Sequence, residues 1–147
     1  MKTLITWIVV IAIIVLVWKK ALPWWNEHHG GSTTTVADSP AAACAAAAAA
    51  ASDTWGSGVG RFANPPYDTG AWDDFRSRVE EQARRAQEKC LCAETACTTA
   101  KNAMGDLRSL VAEMDTSLRS GSPPPSDLVQ RQEAIDNAVN AARDQAK

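Results

Sequence analysis

Apolar and polar positions divide the chain into four stretches of different character. From Leu4 to Trp18 the run LITWIVVIAIIVLVW carries no charge and a single hydroxyl, Thr6, and eleven of its residues are Leu, Ile or Val. After it, residues 26–70 show no periodicity and turn to Gly, Ser, Thr, Pro and Ala, with GGSTTT at 30–35 and WGSGVGRFANPPYDTG at 55–70. From Ala71 to Arg119 a stripe steps by three or four through Trp72, Phe75, Val79, Gln82, Ala86, Cys90, Ala93, Cys97, Ala100, Met104, Leu107, Val111, Met114 and Leu118. That is the spacing of one helix face, with a stutter where two steps of four succeed each other at 82–86–90. Ser120-Gly121-Ser122 and Pro123-Pro124-Pro125 then stop the helix, and Ser126 or Asp127 can cap another running to the C-terminus with Leu128, Ile135, Val139, Ala142 and Ala146 on one face.

The first run predicts a transmembrane anchor over residues 1–25. Eleven branched aliphatics at about −0.3 to −0.6 kcal/mol each favour insertion by roughly 3–7 kcal/mol. Fifteen helical residues span only about 23 Å, short of the ~30 Å hydrocarbon core. The anchor, built on Leu4, Trp7, Ile11, Ile14 and Trp18, is therefore expected to use Lys19 and Lys20 as snorkelling flanks and Trp24 and Trp25 as interfacial groups. A cleaved signal peptide would need small residues just after the run, where Lys19-Lys20-Ala21 stands instead. Ala41-Ala42-Ala43-Cys44 resembles the end of a lipoprotein box but lies too far downstream of the apolar run. Lys2 on one side is balanced by Lys19 and Lys20 on the other, so charge barely sets the orientation. An N-terminal anchor leading a larger domain acts as an uncleaved export signal. The expected topology is a single-pass membrane protein with its N-terminus in the cytoplasm and its C-terminal domain in the periplasm or its equivalent.

Residues 26–70 read as a low-complexity linker that contains an alanine-rich stretch, 41–52, able to form a helix after Ser39-Pro40. A helix of about a dozen residues is marginal alone, so it either packs on the helix that follows or is a plain tether. Residues 71–147 are expected to form an all-α helical hairpin: one long helix with a coiled-coil-like seam, bent at Gly105, and a shorter antiparallel return helix. That return helix reaches back only about 30 Å and leaves Trp72 and Phe75 uncovered. Either the alanine-rich stretch or another chain must cover them. The interface positions are Trp72, Phe75, Val79, Met104, Leu107, Val111, Met114, Leu118, Leu128, Ile135 and Val139. On the opposite face Asp74/Arg78, Glu80/Arg84 and Glu81/Arg85 stand at i,i+4 as surface ion pairs.

Composition and charge narrow the function. About 120 residues beyond the anchor allow one small domain, and with two Phe and one Tyr it is poor in bulky core residues, which argues for disulfides, a partner or the membrane as support. A net charge of −2 without a basic block excludes the footprint of a nucleic-acid binder. No phosphate loop exists, since GSGVG at 56–60 lacks the lysine and the strand–helix setting. The only histidines, His28 and His29, are adjacent and project from different faces, a poor start for a metal site. No nucleophile–base pairing is visible, so no enzyme, cofactor or small-molecule substrate is expected.

Cys44, Cys90, Cys92 and Cys97 are the candidates for chemistry. On a continuous helix Cys90 and Cys97 lie about 10.5 Å apart, beyond disulfide reach, and Cys92 is rotated about 200° from Cys90. Three arrangements remain open: the chain breaks at CLCAETAC, one cysteine pairs with Cys44, or seam cysteines face a partner helix. An even count in an export compartment favours disulfides. The leading expectation is a membrane-anchored structural or accessory subunit, bound to the bilayer and to other protein subunits, either copies of itself or a larger membrane complex. In size and order of elements the chain is similar to the anchored helical subunit of phage spanins, which implies lysis or envelope bridging as an alternative. A cysteine-based redox or copper(I) carrier is a third.

Overall fold

The computed structural model describes residues 39–147, and the proposed anchor, its Lys and Trp flanks and both histidines lie outside the described residues. Ser39 and Pro40 begin the first helix, α1 (Pro40–Gly58). The Ser39 hydroxyl accepts the Ala42 amide at 3.0 Å, and Pro40 occupies the first turn, where its missing N–H costs nothing. A 3-10 turn, Val59–Phe62, carries the chain to α2 (Thr69–Lys89), capped by the Asp68 carboxylate on the Ala71 amide at 2.9 Å. Then come α3 (Thr95–Arg119) and α4 (Leu128–Gln145). The described residues are thus all-helical, with four α-helices and no strand.

The long helix expected from Ala71 to Arg119 is two helices. The chain leaves helical geometry at Cys90, at φ −92° and ψ 39°, and re-enters at Thr95, so α2 and α3 form a hairpin closed by the turn Cys90–Glu94. Gly105, expected to bend the helix, lies inside an uninterrupted α3. The stutter at 82–86–90 marks the place where the buried face changes: Ala83, not Gln82, continues the core side of α2, and Ala93 is exposed in the turn. α3 ends as expected. Gly121 takes φ +68°, and the Ser122 and Gly121 amides donate to the Ser117 and Leu118 carbonyls at 2.9 and 3.2 Å, closing a Schellman cap.

Specific contacts fix the directions. The Cys44–Cys90 bond at one end and the stacking of Trp55 on Phe75 at the other set α1 antiparallel to α2. Trp72 donates to Asp115 at 2.8 Å across the α2–α3 hairpin, and Arg131 pairs with Glu113 across α3 and α4 at 2.5 Å. Ser52 on α1 donates to Asp136 on α4. The helices therefore run up, down, up, down, with α1 and α3 each touching all the others while α2 and α4 flank them.

The alanine-rich stretch is thus central to the bundle, and the expected linker ends where it begins. Its buried positions are Ala41, Cys44, Ala45, Ala48, Ala51, Ser52 and Trp55, one face at steps of three and four. Alanine there has two consequences: it favours the helix intrinsically, and it lets neighbouring backbones approach closely. Ala100 and Ala103 on α3 are buried small residues of the same kind. Ala48→Leu adds three carbons where no surface is exposed, and is expected to cost roughly 1–3 kcal/mol. The check is a lowered urea midpoint with unchanged helicity in native buffer; an unchanged midpoint would mean that the α1 face is slack.

An aromatic cluster closes the end of the bundle away from the cysteines. Trp55 and Phe62 meet Trp72 edge-on at centroid distances of 6.3 and 5.1 Å, and both also pack on Phe75. Trp72 and Phe75 are covered by the chain itself. On the outer surface Glu81 pairs with both Arg84 and Arg85, whose hydrogen bonds bring its carboxyl down to about 2. Arg76 takes Glu80, while Arg84 turns to Glu81 and Glu88 instead of Glu80.

Asp115 sits at the rim of this cluster with its side chain 18% exposed. Desolvation pushes its carboxyl up, but the hydrogen bonds from Trp72 and Arg119 and the nearby Arg76 charge outweigh it, and the net shift is downward. A depressed folded value means that the stabilisation is complete above the ordinary 3.8 and is lost as pH falls through the folded value. The melting temperature of the wild type is expected to drop more steeply on acidification below pH 3.8 than that of Asp115→Asn. Parallel acid profiles for the two proteins would refute this.

Candidate functional site: the cysteine turn and the α1–α4 groove

All four cysteines are bonded. Cys44 on α1 joins Cys90 at the end of α2, with Cα atoms 4.8 Å apart, and Cys92 joins Cys97 in the first turn of α3 at 5.8 Å. Two of the three arrangements left open by the sequence occur together: the chain breaks at CLCAETAC, and Cys44 takes one of its cysteines. The break is what permits the second bond, because Cys92 and Cys97 would lie on different faces of a continuous helix. The third arrangement, cysteines facing a partner helix, is not the one found.

The two bonds differ in setting. Cys44, Cys90 and Cys97 are 0, 2 and 0% exposed, whereas Cys92 is half-buried and its neighbour Leu91 is 74% exposed. Cys44–Cys90 closes a separation of 46 residues and fastens α1 to α2, while Cys92–Cys97 spans only 5 residues. With every cysteine in a disulfide, no cysteine thiolate is available as a soft-metal ligand, and no group of three or more His, Cys, Asp or Glu converges among the described residues.

A second concave feature lies between α1 and α4. It encloses about 480 Å³ and is lined by small residues of α1, among them Ala49, Ser52 and Gly56, and by Gln132, Asp136, Asn140 and Arg143 of α4. Ser52, 3% exposed, donates to Asp136 Oδ1 at 2.5 Å, and Gln132 Nε2 donates to the same oxygen at 2.9 Å. One carboxylate oxygen thereby satisfies the single polar residue in the buried face of α1 and fixes the register of α1 against α4. The Ser52 hydroxyl donates one of the two hydrogen bonds that this carboxylate oxygen accepts, the other coming from Gln132. This arrangement cross-links helices; among the described residues no imidazole stands beside it to make a nucleophile.

No protein-family model, curated protein or solved structure matches the chain.

Of the interface positions read from the sequence, Trp72, Phe75 and Val79 of α2, Met104, Leu107, Val111, Met114 and Leu118 of α3, and Ile135 and Val139 of α4 are buried within the bundle; Leu128 is half-buried. Sequence reasoning missed Trp55 and Phe62, both in the stretch read as linker, and the link from Ser52 of that stretch to Asp136 and Gln132 of α4. A signal was present: Cys44, Ala48, Ser52 and Trp55 are spaced by four, four and three, marking one face of an otherwise featureless helix. Among the described residues no helix is long and apolar enough to cross a membrane.

Proposed function

We propose that this chain is a non-catalytic, single-pass membrane protein that holds a disulfide-stapled four-helix bundle on the extracytoplasmic side, as a structural or accessory subunit of a membrane-associated assembly. The observation that carries the reading is the pairing of all four cysteines, because such bonds persist in oxidising compartments and are rare in reducing ones. Combined with the apolar run Leu4–Trp18, it tips a charge balance that leaves orientation open. The seam that seemed to demand another chain is closed by α1, so a contact with other subunits would be polar. Leu91 and Val129 are the exposed large apolar side chains among the described residues.

Reach also favours this reading over envelope bridging. A continuous helix from Ala71 to Arg119 would reach about 70 Å, whereas α3, with 25 residues, reaches about 38 Å. The reading is tested in native membranes of cells expressing the full chain. The protein should resist alkaline extraction, migrate differently with and without reductant, and become accessible to protease from outside spheroplasts; protection from external protease would overturn the topology. Crosslinking should recover a defined companion, and recovery of the bare monomer alone would overturn the subunit role.

A further inference from the structure

The two disulfides meet in one turn, and only one of them touches solvent. Cys90 and Cys92 flank the exposed Leu91, yet Cys90 and its partner Cys44 are sealed in the core, as is Cys97. Cys92 is the one half-buried member, in a turn without regular backbone hydrogen bonding. Its partner, Cys97, is the third residue of α3, whose N-terminus carries no side-chain cap. A thiolate released at that position lies in the first turn of a 25-residue helix, whose positive end offsets part of the cost of burying the charge. The turn thus presents one partly exposed cysteine for attack and a partner at a helix N-terminus for departure, while a separate buried bond holds the fold.

We propose that Cys92–Cys97 is a thiol–disulfide exchange site whose substrate is a protein or small-molecule dithiol, and that Cys44–Cys90 is purely structural. One thiolate of the dithiol attacks Cys92 Sγ; the new sulfur–sulfur bond forms as Cys92–Cys97 breaks, and Cys97 leaves with the bonding pair as a thiolate. The second thiol of the dithiol, deprotonated, then attacks its own first sulfur and releases the Cys92 thiolate. The dithiol is oxidised to a disulfide, Cys92 and Cys97 are reduced by two electrons, and the two protons given up by the dithiol pass to them. Since Cys90 is held to α1 throughout, the hairpin stays docked in both redox states. Leu91, at the apex between the bonds, is the apolar contact available to a protein dithiol.

The inference rests on the extracytoplasmic reading, because both bonds must form first, so the experiment separates the two. The full chain is extracted from membranes, its bonds are assigned by mass spectrometry, and it is then exposed to graded dithiothreitol and, separately, to reduced glutathione before alkylation. Absence of both bonds in the isolated chain would sink the placement and the inference together. With both bonds present, Cys92 and Cys97 should become alkylated at least roughly tenfold faster than Cys44 and Cys90, since burial forces attack on the latter pair to await opening of the bundle. The glutathione adduct should sit on Cys92. Loss of both bonds at one rate, an adduct on Cys97, or appearance of a free Cys44 through shuffling would overturn exchange alone. Cys92→Ala/Cys97→Ala should keep the Cys44–Cys90 bond and the full helical signal; a variant that cannot form that bond would show that the second disulfide is structural and defeat the proposal.

Discussion

Replacing Cys44 and Cys90 together by alanine is expected to remove about 4 kcal/mol of stability, because a cross-link across 46 residues withdraws that much chain entropy from the unfolded state. Domains of this size are stable by only about 5–15 kcal/mol, so the loss takes a large fraction of the whole. Its structural consequence is specific. The bond ties α1, the helix that touches each of the other three, to the hairpin turn, and α1 offers mostly alanine methyl groups in exchange for its ordering. A long aliphatic helix could hold itself in place by burial; a helix of alanines buries little area per residue and depends more on the covalent link. Urea denaturation followed by circular dichroism should show the midpoint falling sharply. The Cys92→Ala/Cys97→Ala protein should lose only about 2 kcal/mol, because its loop of 5 residues was already short in the unfolded chain. Equal losses for the two pairs would contradict the division of roles between the bonds.

What the sequence could and could not disclose follows from the same physics. The cap at Ser39-Pro40 and the stop at Gly121 were legible because each depends on one residue's own chemistry: a hydroxyl acceptor, a fixed φ, a tolerated positive φ. The buried faces of α3 and α4 were legible from spacing. The reversal at Cys90–Glu94 was not, since two arms of a hairpin that face one core repeat the same three-and-four rhythm, and CLCAE contains neither Gly nor Pro. Geometry held the hint instead: Cys92 and Cys97 cannot bond across a straight helix, so a bond between those two requires a break. The central place of α1 was hidden for a different reason. Fourteen residues from Pro40 to Asp53 are nearly all alanine, so hydrophobicity is uniform around the helix and no face stands out. Of the residues there and just beyond that are not alanine, Cys44, Ser52 and Trp55 point inward, while Pro40 and Asp53 are exposed.

Trp72→Ala is expected to cost roughly 3–5 kcal/mol, about as much as loss of the structural disulfide. Trp72 has no exposed surface and its ring is in contact range of Trp55, Phe62 and Phe75, so truncation opens a cavity bordered by rigid aromatics that cannot collapse into it. Its indole Nε1 also donates to Asp115 Oδ1 at 2.8 Å, and a hydrogen bond to a charged acceptor contributes about 1.5–3 kcal/mol. Trp72→Phe separates the two contributions. It retains most of the apolar contact with α1 but removes the N–H, leaving Asp115 to Arg119 and Arg76, and should cost about 1.5–3 kcal/mol. The lost donor is also the largest influence lowering the Asp115 carboxyl, so Trp72→Phe should flatten the acid limb of the stability profile, whereas a variant that merely loosens packing, such as Ala48→Leu, should shift the whole profile downward without changing its slope. Near-ultraviolet circular dichroism would register the loss of the aromatic cluster in Trp72→Ala and its partial retention in Trp72→Phe. If both variants instead melt together with an unaltered acid limb, Asp115 is held by its arginines alone and the indole serves only as a wedge between α1 and α2.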